Sequence, residues 1–139
     1  MCNANAQPGG EEAAVKAAVN VLFEAMRNSD SALLVSAFSD SAILQTIHQT
    51  KDGKVRVKTE SIHEFGSSIS KAPKSALDER IEFASIHIDG PLASVWTPYK
   101  FYYQNKFIHC GANSFQMIHT PAGWKIQYLT DTRRKTGCE

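Results

Sequence analysis

The sequence predicts an α+β domain in which a few helices cover one face of a mainly antiparallel sheet. Three observations lead there. The chain opens on an amphipathic helical pattern: Val15, Val19, Leu22 and Met26 fall at helical spacing, and Phe23 widens the stripe. The second half alternates with period two over runs of about 78–88, 92–103, 107–119 and 123–132. These runs are joined by the turn-prone segments Asp89-Gly90, Gln104-Asn105-Lys106 and Thr120–Gly123, and such short loops make sequential strands antiparallel neighbours. Three helices are too few to surround such a sheet, so they belong on one side of it.

Residues 1–10 are small and polar and read as a disordered tail. The first helix runs from Glu11 to Arg27, with Glu11 and Glu12 suiting its positive end and Arg27 its negative end. Asp30 or Ser31 caps a short second helix reaching Phe38. A strand over Ala42–Gln49 turns at Asp52-Gly53 into an edge strand, where Val55 and Val57 alternate with Lys54, Arg56 and Lys58. Ser61 and Glu64 form a capping box for a third helix, whose apolar face is Ile62, Phe65 and Ile69 and which ends before Pro73. Ile81 and Phe83 have one parity and Ile86 and Ile88 the other, so a bulge near Ala84-Ser85 is expected. Pro98 predicts a second irregularity. Residues 11–134 form a single domain and 135–139 a C-terminal tail.

Composition narrows the function classes. Of 139 residues, 42% are hydrophobic and 21% charged, and 15 basic side chains nearly balance 14 acidic ones, for a net charge of +1. That balance supplies no electrostatic footprint for nucleic acid or an anionic membrane. No apolar run approaches the roughly 20 residues of a membrane span. The basic run Arg133-Arg134-Lys135 reads as a solvated tail. Cys2, Cys110 and Cys138 have no metal-type spacing: Cys2 and Cys138 fall in the tails, and Cys110 reads as a small strand residue. His48, His63, His87, His109 and His119 lie on different elements without ligand spacing, so neither a metal nor a cofactor is expected. Ala4-Asn5-Ala6 followed by Gln7 has the form of a signal-peptidase site. It leaves two localisations open: periplasmic or secreted if this is a leader remnant, cytoplasmic if not.

The hairpin turns set a register for the last three long strands. A three-residue turn at Gln104–Lys106 places Tyr103 opposite Phe107, and so pairs Phe101 with His109, Tyr99 with Gly111, Thr97 with Asn113 and Val95 with Phe115. A turn at Thr120–Gly123 pairs His119 with Trp124, Met117 with Ile126, Phe115 with Tyr128 and Asn113 with Thr130. One face then has an apolar end, Phe115, Met117, Trp124 and Ile126, which packs under the first helix. Its other end mixes Tyr99, His109, Asn113 and Thr130 around Gly111, which leaves room for a cavity. Asp131 falls on the opposite face unless the last strand is bulged.

The helix-first order, Trp96-x-x-Tyr99-x-Phe101, His109-x-Gly111, Phe115 and the closing Gly123-Trp124-Lys125-Ile126…Asp131-Thr132-Arg133 resemble the nuclear transport factor 2-like superfamily over about residues 11–134. Within it the chain looks most like the bacterial lumazine-binding group near the SnoaL-like, polyketide cyclase-like proteins. The resemblance implies a cystatin-like cone, with the N-terminal helices packed in the concave face of a strongly curved sheet and a pocket at its open end. It also implies a homodimer through the outer sheet face, for which Trp96, Tyr102 and Leu129 are the candidates. Catalytic members place an Asp/His or Asp/Tyr pair in the cone. His109 and Tyr99 match such positions, whereas Asp40 falls near the rim.

Three functions follow. The first is a binding module for a small, partly apolar ligand, lined by Tyr99, Phe101, Phe115 and Tyr128 with His109, Asn113 and Thr130 as polar wall. The second is a cofactor-independent isomerase, cyclase or hydratase, with His109 as acid or base and Tyr99 as oxyanion donor. The third is a dimeric interaction protein with a filled cone.

Overall fold

The computed structural model describes residues 10–139; Cys2 and the Ala4-Asn5-Ala6 pattern lie outside them. Helix α1 (Gly10–Arg27) buries Val15, Val19, Leu22, Phe23, Ala25 and Met26, the stripe its periodicity predicts. Asp30 caps α2 (Ser31–Ser36) by accepting the Leu33 N–H at 3.0 Å, and Ser61 caps α3 (Ile62–Ser70). The second helix is shorter than expected, because β1 (Phe38–Gln49) already begins at Phe38. The strands β2 (Val55–Glu60), β3 (Leu77–Ile81), β4 (Ser85–Asp89), β5 (Leu92–Tyr103), β6 (Lys106–Thr120) and β7 (Gly123–Thr132) complete one sheet in the order β2-β1-β7-β6-β5-β3, with β4 also paired to β5. All neighbours are antiparallel except β1 and β7. Among the described residues no helix is long and apolar enough to cross a membrane.

The core lies between α1 and the sheet. Phe23 meets Phe115 edge to face at 6.3 Å, and Phe115, Met117 and Ile126 are fully buried beneath the helix. Between Ile81↔Tyr99 and Ser85↔Trp96 the pairing slips by one residue, which brings Ile81 and Ile86 to the same face. Pro98 sits opposite Ala112 in an unbroken β5–β6 register, and on its other edge, where its carbonyl accepts the Glu82 N–H at 3.0 Å, it lies at this slip.

Two register details differ from the sequence reading. The β5–β6 turn has two residues, Gln104 and Asn105, both at positive φ (49° and 67°), the geometry of a type I′ hairpin. Tyr103 therefore faces Lys106 and Tyr102 faces Phe107, and an extra residue at Ile108 restores the expected Phe101↔His109 pair. In β7 the slip has larger consequences. Met117 faces Ile126 as expected, but Gln127 is an extra residue, so Phe115 faces Leu129 and Asn113 faces Asp131. The bulge is held from the side. Ser39 Oγ donates to Gln127 Oε1 at 2.6 Å, and Gln127 Nε2 donates to the Ser41 carbonyl at 3.3 Å. Leu129, Asp131 and Arg133 turn inward as a result, and Tyr128 and Thr130 outward.

The C-terminal segment is not a loose tail. Arg134 pairs with Cys110 through reciprocal backbone bonds of 2.9 and 2.8 Å, and Cys110 and Cys138 form a disulfide across 28 residues. Closing a loop of that length removes about 3–4 kcal/mol worth of unfolded-chain entropy. Neither the strand-residue reading of Cys110 nor the tail reading of Cys138 anticipated this pairing.

Candidate functional site

Inward-facing residues can be followed across the sheet in rungs of directly opposed partners. One rung runs Glu60–Leu44–Leu129–Phe115–Val95 and is apolar over its centre. The next runs Lys58–Thr46–Asp131–Asn113–Thr97 and is polar throughout. Further out lie His48 on β1, Arg133 after β7, His109 on β6 with Phe101 opposite, and Glu79 on β3 opposite Phe101. Together with Leu22, Phe23 and Met26 of α1 and Phe65 and Ile69 of α3, these rungs enclose a cavity of about 610 Å³.

Two hydrogen-bonded groups define its polar wall. Asn113, buried, donates through Nδ2 to Glu79 Oε2 at 3.0 Å and to Thr97 Oγ1 at 3.1 Å, using both amide hydrogens. Asp131 accepts from Thr46 Oγ1 at 2.7 Å and pairs with Arg133 Nε at 3.4 Å. Removal from water raises the Glu79 carboxyl to about 7, against a smaller opposing effect of the Asn113 bond, so it changes charge near neutral pH.

His109 packs between aromatic rings, 5.1 Å from Phe101 and 5.6 Å from Tyr99. Burial, then the nearby Arg133, lowers its pKa, and Asp131 opposes them only in part, so the imidazole is neutral at neutral pH. Asp131 directs its oxygens to Thr46 and Arg133 and does not orient the imidazole. Tyr99, buried, donates its hydroxyl to the Thr132 carbonyl at 2.6 Å; burial, then Asp131 and Glu79, keep that hydroxyl protonated.

Of the residues proposed from sequence, Phe101, His109 and Asn113 line the cavity. Tyr99 stands behind His109 and braces the chain end. Phe115 is enclosed by the core under α1. Tyr128 and Thr130 are displaced by the Gln127 bulge: the Tyr128 hydroxyl bonds Gln45 Oε1 at 2.5 Å, and Asp131 occupies the wall position expected for Thr130. The same bulge buries Leu129 in the core, which removes it from the outer contact surface. Asp40 is exposed on β1 away from the cavity. Gly111 does not open space; the Thr132 backbone fills the place its side chain would take. Arg133, read as part of a solvated tail, lines the cavity.

Glu79, Thr46, His48 and Arg133 were missed. Glu79 had a legible signal, a charge sharing the parity of Ile81 and Phe83. Thr46 and His48 had none, because the parallel β1–β7 pair leaves no hairpin from which to read a register.

No family model matches the chain, and no curated protein matches it. Solved structures do. A nuclear transport factor 2-like protein of unknown function from Shewanella baltica superposes with a TM-score of 0.74 at 17% identity, covering 95% of this chain and 100% of that one. A domain of unknown function with a cystatin-like fold from Nostoc punctiforme gives 0.71 at 16% identity, covering 94% and 82%. A candidate dehydratase of the nuclear transport factor 2-like family from Streptomyces avermitilis gives 0.67 at 15% identity, covering 92% and 99%. The helix-lined concave sheet, its strand order and these superpositions give the chain the nuclear transport factor 2-like, cystatin-like fold.

Proposed function

We propose that the protein binds a small, partly apolar molecule in the cone. The observation that carries this reading is the cavity of about 610 Å³, where an apolar rung meets the Asn113–Glu79 and Thr46–Asp131 groups. Volume and mixed lining are those of small-molecule sites, and the open space argues against a filled cone. Phe101 and His109 offer ring surface, and Asn113, Glu79 and Asp131 anchor polar atoms. A thermal-shift screen of small aromatic and alicyclic oxygenated compounds tests it. Hits are expected to raise the melting temperature of the wild type and to lose most of that effect in Phe101→Ala. Hits that stabilise both proteins equally would place binding elsewhere.

A second reading, cofactor-independent proton transfer, is favoured by one observation: Glu79 faces the cavity with a pKa of about 7, where a carboxyl both gives and takes protons. It moves the acid–base role from His109, which no carboxylate orients, to Glu79. The candidate dehydratase among the structural relatives is compatible with such chemistry.

The outer sheet face is proposed as a homodimer surface. Trp96 (47% exposed), Leu92 (47%) and Phe107 (43%) project there, and Tyr102 lies beside them under the Arg80 guanidinium, 3.9 Å from its ring. Sedimentation equilibrium is expected to give twice the chain mass for the wild type and a shift toward monomer for Trp96→Asp. A monomeric wild type would refute the assembly.

A further inference from the structure

We propose that the ligand of this cavity is an anionic amphiphile, an apolar body ending in a carboxylate that meets Lys58, Lys71 and Arg133 at the mouth. The inference rests on the cavity being a binding site and adds the chemical class it takes.

The rungs give the cavity a direction. Leu44, Leu129 and the α1 side chains Leu22 and Phe23 make its deep end apolar. Past the Thr46–Asp131–Asn113 rung the lining becomes charged. Three cations reach this region from separate elements: Lys58 from edge strand β2, Lys71 from the C-cap of α3, and Arg133 from the end of β7. Their convergence is a property of the fold, since 75 positions separate Lys58 from Arg133 in the chain.

The opposing charges on the same wall are Glu60, Glu79 and Asp131, and their partners decide the local balance. Asp131 is bonded by Thr46 and by Arg133 through Nε, which leaves both terminal guanidinium nitrogens of Arg133 for a second acceptor. Glu79 is bonded to Asn113 beside Phe101, and its carboxyl, raised to about 7 by burial, is mostly uncharged at pH 6. Among the described residues, no carboxylate comes within 4.0 Å of Lys58 or Lys71. Glu60, two residues from Lys58 on β2, is the one remaining acidic group, set against two ammonium groups and a partly committed guanidinium. Burial, then Arg133, disfavours the charged form of His109. With Asp131 and Arg133 paired and Glu79 mostly protonated at pH 6, Lys58 and Lys71 face Glu60 alone, an excess of one positive charge above an apolar floor. Such a field draws an anion inward and opposes a cation of the same shape.

The experiment uses three probes with one body and three head groups: decanoate, decanol and decylamine. Each is titrated calorimetrically into the full chain at pH 6, where Glu79 is mostly protonated, and at low salt, below its aggregation concentration. Decanoate is expected to bind about tenfold more tightly than decanol, with decylamine weakest. In Lys58→Gln/Lys71→Gln, checked for an unchanged circular dichroism spectrum, the preference for decanoate over decanol is expected to fall to about twofold or less. Equal binding of decanoate and decanol, or tighter binding of decylamine, overturns the anionic class and leaves the cavity reading standing. A preference that survives the double substitution also overturns it. Failure of all three probes to bind also overturns the proposal, and the thermal-shift screen then decides the cavity reading by itself.

Discussion

Replacing Gly111 with alanine is expected to destabilise the protein by about 3 kcal/mol, the upper end of the range for overpacked buried sites. A Cβ at this position would lie 2.1 Å from the Thr132 carbonyl oxygen and 2.8 Å from its carbon. Those atoms are backbone and cannot rotate away. They are also pinned, because the same carbonyl accepts the Tyr99 hydroxyl at 2.6 Å and the Thr132 side chain accepts the Ala112 N–H at 3.2 Å. Moving Thr132 outward pulls on Arg133 and on Arg134, which is bonded to Cys110 beside the disulfide. Urea unfolding reads the effect directly. A midpoint for Gly111→Ala within error of the wild type would mean that the chain end does not cross the sheet as described.

Glu79→Gln is expected to change how stability depends on pH. The folded protein holds the Glu79 proton to about pH 7, whereas an unfolded chain releases it near 4.5. The folded state thus binds the proton more tightly. The stabilisation this gives is complete below about pH 4.5 and is lost as pH rises through 7. The full difference corresponds to at most about 3 kcal/mol, reduced by whatever water the open cavity admits to the half-buried carboxyl. Glutamine keeps an acceptor for Asn113 and cannot ionise. The variant should match the wild type near pH 4 and exceed it by about one to three kcal/mol (a range from the same conversion) at pH 8. Parallel stability curves for the two proteins from pH 5 to pH 8 would show that Glu79 does not titrate in this range.

Both predictions concern residues whose roles the sequence obscured. Gly111 was legible as a glycine facing Tyr99, and that pairing is correct. Its purpose was not legible, because the atoms that fill its space belong to β7, whose path depends on the bulge at Gln127. One inserted residue exchanges the faces of everything beyond it. It took Tyr128 and Thr130 off the expected wall and put Leu129, Asp131 and Arg133 in their place. The bulge is stabilised by Ser39 and Ser41, more than 80 residues earlier, so no window around Gln127 contains the cause.

Local periodicity and turn chemistry make one part of this fold readable from the chain alone. The α1 stripe, the Asp30 and Ser61 caps, the β5–β6 register beyond its turn and the one-residue slip between β3 and β4 all depend on residues close in the chain. Those contacts placed Phe101, His109 and Asn113 on one face. Which charges join them depends on contacts between strands far apart in the chain. Thr46 meets Asp131 through a parallel pair with no connecting turn, Glu79 meets Asn113 across β5, and Lys58 and Arg133 converge because the sheet curves. The energies that select these partners, burial of a carboxyl and the pairing of groups far apart in sequence, come into being only once the chain has closed around the cavity.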